Sequence, residues 1–175
     1  MRTLRALAVL TVVLTAACSD SGPAPRQVHT SRNVEYRSLK HAARDADAVV
    51  EIAVDQAGVV ESVGAVPFTV TSARVAEVMK GRFDGDVIRL RQLGSSQGGG
   101  LVPEGELLEA GKRYVAIVVP FTFADFQPTG QHVVVGAWQG LYRVEGDELV
   151  ATDKVRTALP RRLTKRSFVA AISEP

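Results

Sequence analysis

A glycine-rich segment contains the best match in this sequence to a motif for nucleophilic catalysis. Gly94-Ser-Ser-Gln-Gly98 matches the G-x-S-x-G pattern with Ser96 as the nucleophile, and Asp125 and His132 follow in a suitable order. This nucleophile must lie between a strand and a helix, because the sharp turn exposes the serine and the helix N-terminus supports the oxyanion. A strand is predicted before the segment, but the glycines and proline of 98–103 cannot begin a helix. We therefore expect a hairpin loop, with a hydrolase as the alternative.

The other candidates for chemistry are metal ligands and a phosphate loop. His29, His41 and His132 have no i, i+2 or i, i+4 spacing, so they predict no shared metal ion. Asp84-Gly-Asp86 and Glu145-Gly-Asp-Glu148 could offer oxygen ligands to calcium, although Gly-Asp turns need the same residues for the backbone. The glycine-rich loop lacks the Gly-Lys-Ser/Thr ending of a phosphate cradle. We expect neither a metal nor a cofactor.

The only cysteine ends a short apolar segment. Arg2 and Arg5 make its start basic. The apolar or small residues 6–17 that follow are too few to cross a bilayer. Thr15-Ala-Ala-Cys18 resembles a bacterial lipobox, in which the cysteine is lipidated and becomes the first residue after cleavage, although a large aliphatic residue is usual at the position of the threonine. We predict a cleaved lipoprotein signal peptide at 1–17 and a lipid anchor on Cys18. A secretory signal without lipid is the alternative.

Composition and charge exclude several classes of function. The chain has 175 residues, of which 46% are hydrophobic and 23% charged, which excludes a disordered chain, and one cysteine excludes a disulfide scaffold. Loss of the two arginines before position 6 would reduce the 21 Lys and Arg to 19, against 19 Asp and Glu. The resulting neutral charge gives no reason to expect nucleic acid as a partner. Small polar residues and prolines after the cysteine predict a flexible tether at 18–34, followed by one domain at 35–175.

Two groups of side chains could contact a partner. Cations near the C-terminus could meet anionic lipid or wall polymer, although an ordinary solvated helix face would carry them too. The residues predicted for this contact are Arg161, Arg162, Lys165 and Arg166. Aromatic side chains beside a barrel mouth would suit a saccharide or peptide, although in a chain with 6% aromatic residues most belong in the core. The candidates are Phe121, Phe123, Phe126, Trp138 and Tyr142.

The positioning elements are mostly strands. Val50, Ile52 and Val54 alternate with small or polar residues, which predicts a half-buried strand over 49–55. Further strands are predicted over 68–79, where a slip in the apolar phase indicates a bulge, and over 87–93, 114–119 and 132–144.

Three of these strands carry finer predictions. In 87–93, Ile88 and Leu90 face one way while Arg89 and Arg91 face the other. The strand 114–119 is apolar on both faces and should be the most buried. Glycines at 136 and 140 should kink the strand 132–144.

Helices and turns complete the predicted fold. Ser38 can cap a helix at 38–45, and Thr164 can cap one ending near 172. Gly146-Asp147 predicts a two-residue hairpin. About six strands joined by turns imply an antiparallel sheet that must close or be covered. We predict a mainly β fold, a small antiparallel OB-like barrel with a short helix at each end.

Short motifs along 45–150 resemble a family of uncharacterised bacterial exported lipoproteins with an OB-like, netrin-type-like β domain. The motifs are Ala46-Asp-Ala-Val-Val50, Phe68-Thr-Val-Thr71 with Val75-Ala-Glu-Val-Met-Lys-Gly81, Gly85-Asp-Val-Ile88 with Gln92-Leu-Gly94, Leu108-Glu-Ala-Gly-Lys-Arg-Tyr-Val115, and Val135-Gly-Ala-Trp-Gln-Gly140 before Tyr142-Arg-Val-Glu-Gly-Asp147. The resemblance implies the fold and carries no activity. Netrin-type metalloprotease inhibitors use a free N-terminal cysteine, so a lipidated Cys18 would argue against inhibition by that route.

Taken together, the sequence predicts a surface lipoprotein held outside the cell by its lipid anchor. Its domain would have a binding or structural role without catalysis, with an envelope protein or polysaccharide as the expected partner, and would present the loops 94–100 and 121–130. The alternative is a hydrolase that uses Ser96, Asp125 and His132.

Overall fold

The computed structural model describes residues 34–96, 103, 105–122, 128–154 and 157–173. These residues form two helices and nine strands, so the predicted mainly β class is confirmed and the predicted count of about six strands is wrong. The elements are α1 (Leu39–Arg44), β1 (Ala48–Ala53), β2 (Val59–Val63), β3 (Val66–Gly81), β4 (Val87–Leu93), β5 (Arg113–Thr122), β6 (Pro128–Val134), β7 (Leu141–Glu145), β8 (Glu148–Ala151), β9 (Arg162–Thr164) and α2 (Lys165–Ser173).

The additional strands lie where the sequence pattern gives only a weak indication of a strand or of a break between two strands. β2 forms a hairpin with β3 around Gly64, whose φ is 60°. The predicted strand 132–144 is two strands, β6 and β7, which lie along the same edge of β5. They are separated because Gly136 and Ala137 both have positive φ, 60° and 63°, and the chain leaves the sheet between Val134 and Leu141. β9 adds a short strand on β8, directly before α2.

Five strands pair in a closed cycle. β1 is antiparallel to both β3 and β5, β3 is antiparallel to β4, and β5 is antiparallel to β6. The cycle closes where β4 and β6 run parallel, with Leu90 opposite His132. β7, β8 and β9 continue the sheet from β5, while β2 lies beside β3.

Two apolar clusters lie on opposite sides of β1 and β5. Val50 and Ile52 of β1 belong to the cluster inside the cycle, together with Leu90. Val49 and Ile117 belong to the other cluster, which α1 and α2 cover. β1 is therefore buried on both faces rather than half-buried, and the prediction that 114–119 is deeply buried is confirmed.

Several local predictions are confirmed. The register between β1 and β3 shifts twice, as expected of a bulged strand at 68–79. The Ser38 hydroxyl accepts a hydrogen bond from the His41 backbone N–H, and Thr164 Oγ1 accepts one from the Ser167 N–H, so both cap their helices. β7 and β8 form the predicted hairpin around Gly146.

Candidate functional site

The outward side of β2, β3 and β4 keeps several large apolar side chains exposed. The pairings of β2 with β3 and of β3 with β4 place alternate side chains of all three strands on this side, which we call the β2–β4 face. Four of the seven exposed large hydrophobic residues in the described part of the chain belong to it: Val59, Val63, Val66 and Val87. Val63 lies opposite Val66 at the hairpin, while Val59 and Val87 line one cavity. Single apolar residues are normal on a protein surface, whereas grouped ones indicate a contact surface.

A buried arginine fixes the middle of this face. The guanidinium carbon of Arg91 lies 4.2 Å from the ring centroid of Phe68 and 4.9 Å from that of Phe121. Its Nη1 donates to Gln131 Oε1 at 2.8 Å and to Glu61 Oε2 at 3.2 Å. The Gln131 amide also donates to the Glu61 carboxylate, at 3.2 Å from Oε2. Because the guanidinium stacks and donates at once, β2, β4, β5 and β6 are held together at one point.

A shallow cavity of about 290 Å³ lies beside this cluster. Val59, Val70 and Val87 contribute apolar walls, and Arg74 and Asp55 also line the cavity. Arg74 Nε donates to Asp55 Oδ2 at 2.8 Å, and this hydrogen bond holds the pKa of the Asp55 carboxyl below its usual value. The cavity thus combines apolar walls with an ion pair, which suits binding through contact rather than covalent chemistry.

A larger cavity of about 1030 Å³ lies between β8 and the segment before β5. Ser96 lies at its wall, as do Asp153 and Arg161, which are joined by a hydrogen bond of 2.8 Å from Arg161 Nη1 to Asp153 Oδ1. The Glu106 carboxylate, also in the wall, accepts from Arg143 at 2.5 Å and from the Tyr114 hydroxyl at 3.3 Å. Burial raises the pKa of Tyr114 to about 12, so this hydroxyl keeps its proton at neutral pH.

The residues of the hydrolase alternative do not form a hydrogen-bonded group in the described chain. Ser96 lies at the large cavity, whereas His132 lies opposite Leu90 with its ring against Phe83, at a centroid distance of 5.4 Å. His132 Nδ1 is buried without a hydrogen-bond partner among the described residues, and burial lowers the pKa of this imidazole. Asp125 lies outside the described residues.

The predicted aromatic contacts divide into three groups. Phe121 is half-buried beside Arg91, and Phe123 and Phe126 lie outside the described residues. Trp138 and Tyr142 are 2% and 0% exposed, so their expected role as surface contacts is corrected: both are core residues.

Neighbouring elements cover these two rings. The Tyr142 ring packs edge-on against Phe168 of α2 at 5.6 Å. The backbone at Gly105 lies against Trp138, where a Cβ atom would come within 2.6 Å of the indole. Burial, with the negative charge of Asp153, raises the pKa of the Tyr142 hydroxyl.

The C-terminal cations mostly contact carboxylates of the same chain. Arg161 pairs with Asp153, Arg162 pairs with Glu145 and Glu148, and Lys165 lies 2.6 Å from Glu51 and 2.9 Å from Glu77. Arg166 is exposed and has no carboxylate within 4.0 Å in the part of the chain that the structure describes. Three of the four predicted contact residues are thus already engaged.

Of the residues in the Arg91 cluster, only Phe121 is a predicted site residue. The sequence does not predict a site at Glu61, Phe68, Arg91 or Gln131. A hairpin signal at Gly64-Ala65, between valines on either side, could have predicted β2. The meeting of Glu61, Arg91 and Gln131 has no comparable local signal, because it depends on the cyclic pairing of the strands.

Metal and membrane features complete the survey of the described residues. They contain no group of three or more His, Cys, Asp or Glu side chains suited to a metal ion. Neither of their helices is long and apolar enough to span a bilayer. Cys18 and the predicted signal peptide lie outside them.

Comparison of the chain with protein-family models and with curated proteins finds no match.

Proposed function

We propose that this protein is a membrane-anchored surface lipoprotein whose β domain binds an envelope protein or polysaccharide through the β2–β4 face, without catalysis. The observation that carries this function is the exposed apolar face around a fixed arginine. Val59 keeps 70% of its surface in solvent, although its strand partner Val70 is buried. Exposed apolar surface gives no folding free energy, so a partner is its simplest explanation.

The closed strand cycle supports the location of the face. We propose that the cycle of β1, β3, β4, β6 and β5 is an OB-like barrel, in line with the sequence resemblance. Barrels of this kind bind ligands on the face of their second and third strands and with the adjoining loops. In this chain the second and third strands of the cycle in sequence order are β3 and β4, the strands that build the β2–β4 face.

The anchor is proposed from the sequence around Cys18. A diacylglyceryl cysteine carries two acyl chains, and two chains hold a protein on a membrane where one binds only reversibly. The domain would then stay at the membrane surface while the β2–β4 face remains available to a partner.

Binding is favoured over hydrolysis by the arrangement of side chains. A serine nucleophile needs a base within hydrogen-bond reach, or one water away from it. The described structure joins Ser96 and His132 by no hydrogen bond and places them in different surroundings.

The anchor is tested by mass spectrometry of the processed N-terminus. We expect the mature chain to begin at Cys18 with a mass increased by the diacylglyceryl group, and the Cys18→Ala form to leave the membrane fraction. An unmodified cysteine, or cleavage at another residue, would refute the anchor.

The binding face is tested by capture from solubilised membranes. We expect the wild-type chain to retain a distinct protein or polysaccharide that Val59→Lys/Val63→Lys loses. Val78→Lys is the matched control, because Val78 is 41% exposed, close to the 44% of Val63, but lies outside the β2–β4 face. Equal capture by all three chains would refute this face as the binding surface.

A further inference from the structure

The cations of the described residues fall into two groups. Eleven of the sixteen Lys and Arg side chains have a carboxylate within 4.0 Å. The five without one in this part of the chain are Arg37, Lys40, Lys80, Lys154 and Arg166. A cation without a partner keeps its full charge for an external anion, whereas an ion-paired one must first lose its partner.

Four of these five cations lie on or beside the two helices. Lys40 belongs to α1, Arg37 comes just before it, and Arg166 lies in the first turn of α2. Lys80 Nζ donates to the backbone carbonyl of Ile172 at the end of α2, 2.5 Å away. α1 and α2 pack against each other, so these residues belong to one side of the domain, which we call the helix side.

The acidic residues of the helix side do not balance these cations. The Asp45 carboxylate already has neighbours of its own: Oδ1 lies 3.2 Å from Arg44 Nε, and Oδ2 lies 3.4 Å from His41 Nε2. Glu35 and Asp47 near α1 are exposed carboxylates without an ion pair among the described residues, and so is Asp147, whose backbone carbonyl accepts from the Lys165 N–H at the start of α2. Four cations against these three acids leave a small excess of positive charge among the described residues of this side, in a mature chain whose predicted net charge is zero.

The position of the predicted anchor favours this side as the one nearest the membrane. Val34, the first described residue, is exposed and lies just before α1. Fifteen residues lie between it and Cys18, so at full extension the two positions are no more than about 55 Å apart. A lipid on Cys18 would therefore hold the helix side at a high effective concentration beside the headgroups.

We propose that the helix side, through Arg37, Lys40 and Arg166, lies against anionic lipid headgroups. The inference rests on the proposed anchor, which brings the domain to the membrane. Cations near an anionic surface gain free energy one by one, and a tether makes such weak contacts effective. The C-terminal cations Arg161 and Arg162 do not share this role, because both are paired with carboxylates. The β2–β4 face is then left free for a partner.

The test measures co-sedimentation of residues 18–175 carrying Cys18→Ala with lipid vesicles, so that the lipid anchor does not mask the contact. One set of vesicles is phosphatidylcholine and the other contains equal parts of phosphatidylcholine and phosphatidylglycerol. We expect partitioning to favour the anionic vesicles at low salt and to weaken as salt is added.

Two triple variants with the same change in net charge locate the contact. Arg37→Gln/Lys40→Gln/Arg166→Gln should lower partitioning onto anionic vesicles by about tenfold to a hundredfold. The control Arg74→Gln/Arg82→Gln/Arg162→Gln removes three exposed, ion-paired arginines and should change it less than about threefold. No preference for anionic vesicles, or an equal loss in both variants, would overturn the proposal. The mass of the processed Cys18 tests the anchor separately.

Discussion

Two regions on the outside of the strand cycle treat their apolar side chains differently. On the helix side, α1 and α2 cover β1 and β5, and Phe168 and Ile172 are fully buried. On the β2–β4 face, Val59 and Val87 remain exposed beside the cavity. Burial of apolar area contributes free energy of folding, so the helix side stabilises the domain while the β2–β4 face contributes far less. The comparison separates the surface that maintains the fold from the one available for contact.

Charged residues strengthen both sides, with different geometry. Lys165 ties α2 to the sheet through Glu51 and Glu77, and these hydrogen bonds raise the pKa of its ammonium group. Arg91 ties β4 to β2 and β6 while its planar guanidinium stacks beside two rings. An ammonium group could replace the charge of Arg91 but not its stacking or its fork of donors.

Loss of a core ring on the helix side should give the largest effect. Phe168→Ala is expected to lower the free energy of unfolding by about 3–5 kcal/mol, because its ring is fully buried against Tyr142. Urea unfolding followed by circular dichroism measures this change. A loss below about 1 kcal/mol would show that α2 is not part of the cooperative core, and would remove the contrast between the two sides.

Truncation of the buried arginine should have an intermediate effect. Arg91→Ala is expected to cost about 2 kcal/mol, since it opens a gap between Phe68 and Phe121 and removes a donor from Glu61. Arg89→Ala is the control, because Arg89 lies on the same strand, is exposed, and is 3.5 Å from the same carboxylate. It should cost less than about 0.5 kcal/mol. Equal losses would contradict a special role for the stacked guanidinium.

The contrast between these two arginines also shows how far sequence reasoning extends. Alternation correctly placed both of them on the side of β4 opposite Ile88 and Leu90, because strand periodicity is local. The burial of Arg91 could not be predicted in this way, since its partners Glu61 and Gln131 are 30 and 40 residues distant. A solvent-facing position on a strand becomes buried when other strands bring side chains over it.

The helices and the aromatic residues repeat this lesson. Ser38 and Thr164 were predicted as caps because a cap acts within three residues. Trp138 and Tyr142 were expected to contact a ligand, but distant segments, Gly105 and α2, cover them. The predicted cationic surface loses Lys165 for the same reason, because this side chain donates a hydrogen bond to Glu77, which is 88 residues away in the sequence.

Acid should weaken the interior beneath the β2–β4 face through His132. Burial lowers the pKa of this imidazole below its ordinary value of 6.5, so the unfolded chain binds its proton more readily than the folded chain. Stability should therefore fall as pH drops below about 6.5, until the folded-state pKa is passed. The Asp47 carboxylate opposes part of this shift.

His132→Gln isolates that contribution, because lowered carboxyl pKa values such as those of Asp55 and Glu145 act at more acidic pH. The variant should lose the pH dependence that begins below about pH 6.5 in urea unfolding. An unchanged profile would show that the ring is as accessible to protons in the folded chain as in the unfolded one.

The smallest change should come from the β2–β4 face itself. Val59→Ala is expected to alter the free energy of unfolding by less than about 0.5 kcal/mol, because its side chain is mostly in solvent. Val70→Ala, its buried strand partner, should cost about 1–2 kcal/mol. Urea unfolding of both variants measures the two losses in the free energy of unfolding, which can then be compared. If Val59→Ala cost as much as Val70→Ala, the β2–β4 face would belong to the folding core, and its exposed valines would need no partner to explain them.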